Sequence, residues 1–352
     1  MILISLVLLL LTLLGAPLFA IIATSAMVGF HRDETDLMNM ALEIQSIADL
    51  PFLAAIPLFT FAGYVLSESD APKRLVRLTS TMIGWMPGGL ALVALAACAF
   101  FTAFTGASGV TIIALGAILY PALKHDGYGD RFNLGLVTSS GSLGLLFAPS
   151  LPLILYGVIA EVPIDSLFLA GIMPGMVMLA MLSAWSLWVN RHNRRSLASF
   201  SWAEARSALR ESMWEIPLPF VVLGGIYSGY LAVSEAAAVT ALYVLIVEVL
   251  IHREIPIREM PRIMRASMVL VGGILVILGV SLASTNYMIS AGIPQMLLEY
   301  VAGLVSSPVS FLILLLIFLL VLGAILDIFS AIVLVVPLIL PIAAQYGVHE
   351  VH

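Results

Sequence analysis

The chain has 352 residues, 61% of them hydrophobic and 10% charged, with a formal net charge of −6. An average water-soluble domain carries about 25% charged residues, so a water-soluble globule is excluded. The acidic balance leaves no basic surface of the kind nucleic acid requires. Within lipid every backbone N–H and C=O must be satisfied internally, and the apolar runs are near-continuous rather than alternating as in barrel strands. The chain is therefore read as an all-α polytopic membrane protein.

In chain order, the apolar runs predict membrane segments at 2–28, 51–68, 84–104, 106–123, 133–160, 166–189, 214–231, 234–251, 266–290, 306–326 and 328–345. Polar loops are expected near 30–50, 69–80, 124–132, 190–213 and 252–265. The first run is read as a retained helix, because Met1-Ile2-Leu3-Ile4-Ser5 lacks the basic side chains that open a signal peptide. Cys98, the single cysteine, lies in an apolar run and is read as a small core residue.

Two segments are interrupted. Gly106-Ala107-Ser108-Gly109 divides one long apolar stretch. Gly141-Ser142-Leu143-Gly144 and Ala148-Pro149-Ser150-Leu151-Pro152 divide another. Proline lacks an N–H and clashes with the preceding turn, so a straight helix across 148–152 is not expected. Non-helical backbone at membrane depth is tolerated only against protein or a wet cavity, and paired broken helices point to a transporter's binding site.

Basic residues set the orientation. Nine of the fifteen Lys and Arg fall in 191–265, in two loops: Arg191, Arg194, Arg195, Arg206 and Arg210, then Arg253, Arg258, Arg262 and Arg265. Both loops are placed in the cytoplasm. Counting back puts 124–132 and 69–80 there too, and the acidic stretch 30–50 outside.

A shift of 220 positions lays Pro121 on Pro341, Gly127 on Gly347 and Asp130 on Glu350. A two-residue gap then lays Pro72 and Leu75 on Pro294 and Leu297. The first copy carries Lys73, Arg74, Arg77, Lys124 and Arg131 at its loops, whereas the second has Glu299 and Glu350. The copies are therefore expected to face opposite ways, as in alternating-access transporters. The first half is taken as 1–213: N-terminal scaffold helices, a hairpin over 84–123, a broken helix over 133–160, a span over 166–189 and a cytoplasmic loop over 190–213. The second half, 214–352, holds scaffold helices over 214–290 and a second hairpin over 306–345, with no counterpart to 131–189. The second repeat is thus read as incomplete and the chain as C-terminally truncated.

These motifs resemble the large membrane subunit (DctM-like) of the tripartite ATP-independent periplasmic (TRAP) transporters. The resemblance is carried by Gly106-Ala107-Ser108-Gly109-Val110-Thr111, Tyr120-Pro121-Ala122-Leu123-Lys124, Gly127 to Phe132, Thr138 to Gly144, Pro149 to Gly157 and Phe168 to Gly175. Downstream, Gly225 to Gly229, Glu235 to Val239 and Ala291 to Gln295 match the second half. The resemblance implies an elevator-type transporter with re-entrant hairpins in the bacterial or archaeal cytoplasmic membrane. It implies sodium as the coupling ion, with no other cofactor. It implies as partners a small membrane subunit and a periplasmic binding protein that delivers an organic acid. The family's second ion site falls in the part this chain lacks.

Sodium takes oxygen ligands, which broken helices supply as free carbonyls and hydroxyls. Thr105, Gly106, Ala107, Ser108 and Gly109 offer such atoms at the first hairpin tip, and Ser139, Ser140 and Gly141 offer them from the facing helix. Asp327, at the second tip, is a further ion-binding candidate, since an intramembrane carboxylate is functional by default; its alternative is a helix cap. Thr138, Gly144, Pro149, Ser150 and Ser330 are candidates for the substrate. A half-helix opened by Pro149-Ser150 would present free N–H groups to a carboxylate. Glu235 is read as a helix-start acid that complements the dipole, and Glu248 as an acid near a helix end that reaches the interface.

Rival functions remain open on residues alone. Gly106-Ala107-Ser108-Gly109 fits a serine-protease pattern, but His31, His125, His192, His252, His349 and His352 all lie in or beside polar loops or at the terminus, and a serine nucleophile needs a positioned base. Another ion-coupled carrier, of the citrate-permease kind, would work without a binding protein. A channel is disfavoured, because two closed hairpins suit occlusion better than an open pore.

Overall fold

The computed structural model describes residues 2–50, 53–86, 88–191, 201–305, 307–324 and 326–352. His192, Arg194 and Arg195 lie outside them, as do the first residues of the expected spans 51–68 and 306–326. Among the described residues the regular structure is entirely helical. In chain order the helices are α1 (Ile2–Leu13), α2 (Leu18–Arg32), α3 (Met38–Ser46), α4 (Ala55–Glu68), α5 (Ala71–Ile83), α6 (Gly89–Thr105) and α7 (Ser108–His125). Then come α8 (Asp130–Leu143), α9 (Leu151–Ala160), α10 (Ile164–Val189), α11 (Trp202–Glu211), α12 (Pro217–Tyr227) and α13 (Val233–Leu245). The last four are α14 (Met260–Ser290), α15 (Ile293–Leu304), α16 (Pro308–Gly323) and α17 (Ile328–Gln345).

Helices α7, α10, α13 with its extension to Ile251, α14 with the turn before it, and α17 are each long and apolar enough to cross a bilayer. Helices α8 and α9 form a sixth, bent by 47° at its break. On α10, Leu169, Met173, Met176, Met181, Trp185 and Trp188 are all exposed. An apolar stripe of that size belongs against lipid or a partner protein rather than water.

Three expectations need correction. The run 2–28 is not one helix: Gly15 takes a left-handed turn at φ +84° and Pro17 restarts the chain as the N-cap of α2. The stretches 30–50, 69–80 and 190–213 are not plain loops, because α3, α5 and α11 lie within them. Their charges hid amphipathic helices. In α5, Ala71, Leu75 and Leu78 are buried on one face, at the i, i+4, i+7 spacing of a helix that packs on one side.

The third correction is Glu248. It does not reach an interface but is 0% exposed, in a π-helical segment, Ile246–Ile251, that extends α13. Arg74 of α5 accounts for this. Its Nε donates to Glu215 Oε1 at 2.6 Å, and its Nη2 to Glu248 Oε1 and Oε2 at 3.2 and 3.1 Å. Its Nη1 donates to Glu254 Oε1, and Glu254 Oε2 accepts the Asp70 N–H at 2.8 Å. Burial alone would lower the Arg74 pKa, but these carboxylates outweigh it and hold the guanidinium above its ordinary value.

The chain divides into two compact units that interleave along the sequence. One comprises residues 1–53, 155–162 and 270–352, the other 54–154 and 163–269. Each half of the sequence therefore contributes to both. In the first unit, Ile47, Leu155, Ile274, Leu278 and Val333 form one core cluster. Phe311 and Tyr346 stack at 4.6 Å in another. In the second, α4 packs on α13, and α6 packs on α5, α7, α8 and α10. Cys98 is a buried residue of α6 there, as expected.

The helix bounds carry the internal repeat. Ser108–His125 and Ile328–Gln345 differ by 220 at both ends, and α5, α6, α15 and α16 precede them in matching order. The two third helices end alike. Gly127, at φ +83°, donates to Lys124 O, and Tyr128 donates to Leu123 O. Gly347, at φ +72°, donates to Ala344 O, and Val348 to Ala343 O. This is a left-handed C-terminal cap that only glycine adopts without strain.

Candidate functional site

Both expected interruptions are present, and in the second unit they pack on each other. Helix α6 ends at Gly106, φ +62°, whose N–H donates to Thr102 O. Ala107 is extended and α7 restarts at Ser108. Helix α8 ends in a 3-10 turn, Gly144–Leu146. Phe147 to Ser150 then run without helix, with a cis Ala148–Pro149 peptide, before α9 begins.

Three glycines let these breaks meet. A Cβ on Gly106 would stand 2.5 Å from Leu151 Cγ. One on Gly141 would stand 2.4 Å from Ile112 Cγ1, and one on Gly144 would stand 2.4 Å from both Ala99 O and Thr102 Cβ. Thr102 then donates its hydroxyl to Gly141 O at 3.0 Å, joining the first hairpin to the end of α8. Thr105 and Thr111 share a hydrogen bond of 3.0 Å across the tip, and both are fully buried. The Thr105 hydroxyl also reaches Ala107 O at 3.5 Å.

The expected ligands fall into groups. Thr105, Gly106 and Ala107 are buried at the tip, Ser108 is half-buried, and Gly109 is exposed with open space beside it. Thr138 and Ser139 are exposed, and their hydroxyls donate to Leu134 O and Gly135 O of their own helix. Ser140 is buried and donates to Val137 O. Such self-bonding is common for Ser and Thr in helices. Pro149 and Ser150 are buried, and Ser150 Oγ has no hydrogen-bond partner among the described residues. A buried hydroxyl without a partner is costly and marks a place where a ligand atom would be welcome. The nearby cavity of about 280 Å³, lined by Ala99, Ala103, Phe147 and Ala148, is apolar and suits hydrocarbon rather than a carboxylate.

Asp327 and Ser330 belong to the other unit, where they bond each other. Asp327 is the N-cap of α17: its carboxylate accepts the N–H groups of Phe329 and Ser330 at 3.0 and 3.2 Å. Asp327→Ala is expected to destabilise by about 1 kcal/mol, the worth of a helix cap, and Asp327→Asn by much less, read as thermal unfolding midpoints in detergent. Glu235 accepts the Ala232 N–H at 2.9 Å, capping α13 as its position suggested. Thr102 escaped the sequence reading, its only signal being the Thr102–Thr105 spacing one helical turn before a glycine; Thr111 was read as part of the family motif but not as a site residue.

Spanning helices, an exposed apolar stripe and two interrupted helices joined at their breaks define a multi-pass membrane transport protein. The family model described as "Tripartite ATP-independent periplasmic transporter, DctM component" matches residues 2–352. The chain belongs to that family, the large permease subunits of TRAP transporters, and is not an enzyme. It is 30% identical over 317 residues to the ectoine/5-hydroxyectoine TRAP transporter large permease protein of Ruegeria pomeroyi, covering 88% of this chain and 73% of that one. It is 30% identical over 340 residues to the C4-dicarboxylate TRAP transporter large permease protein of Rhodobacter capsulatus, covering 92% and 77%. It is 32% identical over 308 residues to the ectoine TRAP transporter large permease protein of Halomonas elongata, covering 86% and 72%.

Proposed function

We propose that this chain is the large subunit of a sodium-coupled importer in a bacterial inner membrane. It takes an organic acid from a periplasmic binding protein and works beside a small membrane subunit. The observation that carries this reading is the junction of Thr102 with Gly141, which gathers two interrupted helices next to the unpartnered Ser150 hydroxyl. Carbonyls and hydroxyls at the tip 105–109 and around 139–141 suit a hard cation. The N-terminal turn of α9, behind Pro149 and Ser150, offers N–H groups to a carboxylate. The matching helix triplets, with basic residues confined to the first copy, support oppositely oriented repeats and an elevator movement. Relatives named for ectoine, C4-dicarboxylates and 2,3-diketo-L-gulonate support a small carboxylate-bearing solute as the class.

The test is uptake into proteoliposomes holding both membrane subunits, with the binding protein outside. Uptake is expected to need an inward sodium gradient and to weaken when Ser108→Ala is combined with Asp327→Ala. Comparing Asp327→Asn with Asp327→Ala separates charge from capping. Sodium-independent uptake would reject the coupling. Full uptake without the binding protein would favour a carrier that works alone.

A further inference from the structure

A second buried polar cluster lies in the same unit as the first hairpin, where Arg74 meets the π-helical end of α13. Its charges do not balance. Arg74 faces the carboxylates of Glu215, Glu248 and Glu254, so with His252 neutral the cluster keeps two negative charges. Arg74 is 11% exposed, Glu215 5% and Glu248 0%. Arginine stays protonated in proteins, so either a bound cation or protons on the carboxylates must balance the excess. Burying unpaired carboxylates is expensive.

An unused oxygen points to where the missing charge sits. Arg74 takes Glu215 Oε1, while Glu215 Oε2 is buried with no hydrogen-bond partner among the described residues. His252 approaches from the end of the π segment, its Nδ1 3.8 Å from Glu248 Oε2 and 3.6 Å from Glu254 Oε1. One ligand atom each from Glu215, Glu248 and His252 lie within 4.8 Å of one another. A small cavity of about 10 Å³ adjoins Glu215 and Glu248, its wall otherwise mostly apolar with Leu75, Phe101 and Val247 beside Trp214 and Tyr243. The Tyr243 hydroxyl is engaged, donating to Trp214 O at 2.7 Å.

We propose that Glu215, Glu248 and His252 bind a divalent transition-metal ion of the zinc or manganese kind, beside Arg74. Two positive charges cancel the surplus. One imidazole with two carboxylates suits such ions better than calcium, which prefers oxygen alone. Bonds of about 2.0–2.2 Å in a zinc shell would draw the three ligand atoms inward on binding. The ion would fasten the end of α13 to the residue just before α12. This site is separate from the hairpin junction and does not rest on sodium coupling.

The test uses untagged protein, purified in detergent, stripped with a chelator and dialysed against zinc or manganese alone. Metal per chain is then counted and thermal unfolding recorded. About one ion per chain and a higher unfolding midpoint are expected. His252→Ala and Glu215→Gln should each weaken binding about tenfold or more, since even outer-shell partners of a metal are worth that much. His252→Ala leaves every Arg74 bond in place, so misfolding cannot imitate the loss. The proposal is overturned if no stoichiometric ion is retained or if binding survives both variants. It is also overturned if acidification without metal gives the same stabilisation, which would assign protons to the cluster.

Discussion

Replacing Arg74 by methionine is expected to destabilise the protein by about 3–5 kcal/mol, the cost of stripping one partner from a buried ionic group. Thermal unfolding of the purified subunit in detergent, with chelator present, measures it. The size follows from the count of partners: three carboxylates share this one guanidinium, and at least two of them are cut off from water. Methionine fills much of the volume, so the loss reports charge rather than a hole. Adding Glu248→Gln to Arg74→Met should recover part of the stability, because a neutral amide is cheaper to bury than a carboxylate. An Arg74→Met protein that unfolds with the unaltered one would show that the cluster is held by something other than this arginine. The exposed pair Arg77–Glu211 provides the contrast: breaking it should cost no more than about 1 kcal/mol.

The second large effect is expected at Gly144. A methyl group there would meet Ala99 O at 2.4 Å and Ala103 N at 2.8 Å, both backbone atoms of α6 that cannot swing aside. Gly144→Ala should therefore cost about 1–3 kcal/mol from overpacking. It should also push the first hairpin off α8, parting the Thr102 hydroxyl from Gly141 O. Uptake in the reconstituted three-component system should fall to background while the protein still inserts. Gly135 is the control, because a Cβ there meets nothing within 4 Å. Gly135→Ala should raise stability by up to about 1 kcal/mol through helix propensity and leave uptake intact. Normal uptake by Gly144→Ala would mean that the two breaks need not touch.

Much of this was legible in the residues because lipid leaves so few options. Apolar run length gave the long spans, and Gly-rich and Pro-rich stretches marked both breaks near the right positions. The repeat was readable from a few prolines and glycines, since Gly127 and Gly347 must each take a left-handed turn. Charge was misleading where it sits on a helix face. The basic run Lys73, Arg74, Arg77 read as a loop, yet α5 buries Ala71, Pro72, Leu75 and Leu78 among and around them. Glu248 was misjudged for a different reason. Its position near a helix end suggests an escape to water, and its partner Arg74 lies 174 residues away. Only the fold brings them together. The candidate residues could be grouped in the sequence but not told apart, because whether a serine bonds its own helix, as Ser139 does, or finds no partner among the described residues, as Ser150 does, depends on packing.

The π-helical stretch Ile246–Ile251 acts as a ruler for the residues that follow it. A π turn accommodates one residue more than an α turn, and each residue advances an α-helix by about 100°. If the same residues were wound as an ordinary α-helix, with none removed, the extra one would be carried forward into the chain beyond. Everything after them would then be turned by roughly that angle, carrying His252 and Glu254 to another side. The winding at this point, rather than any one side chain, decides which acids the guanidinium meets.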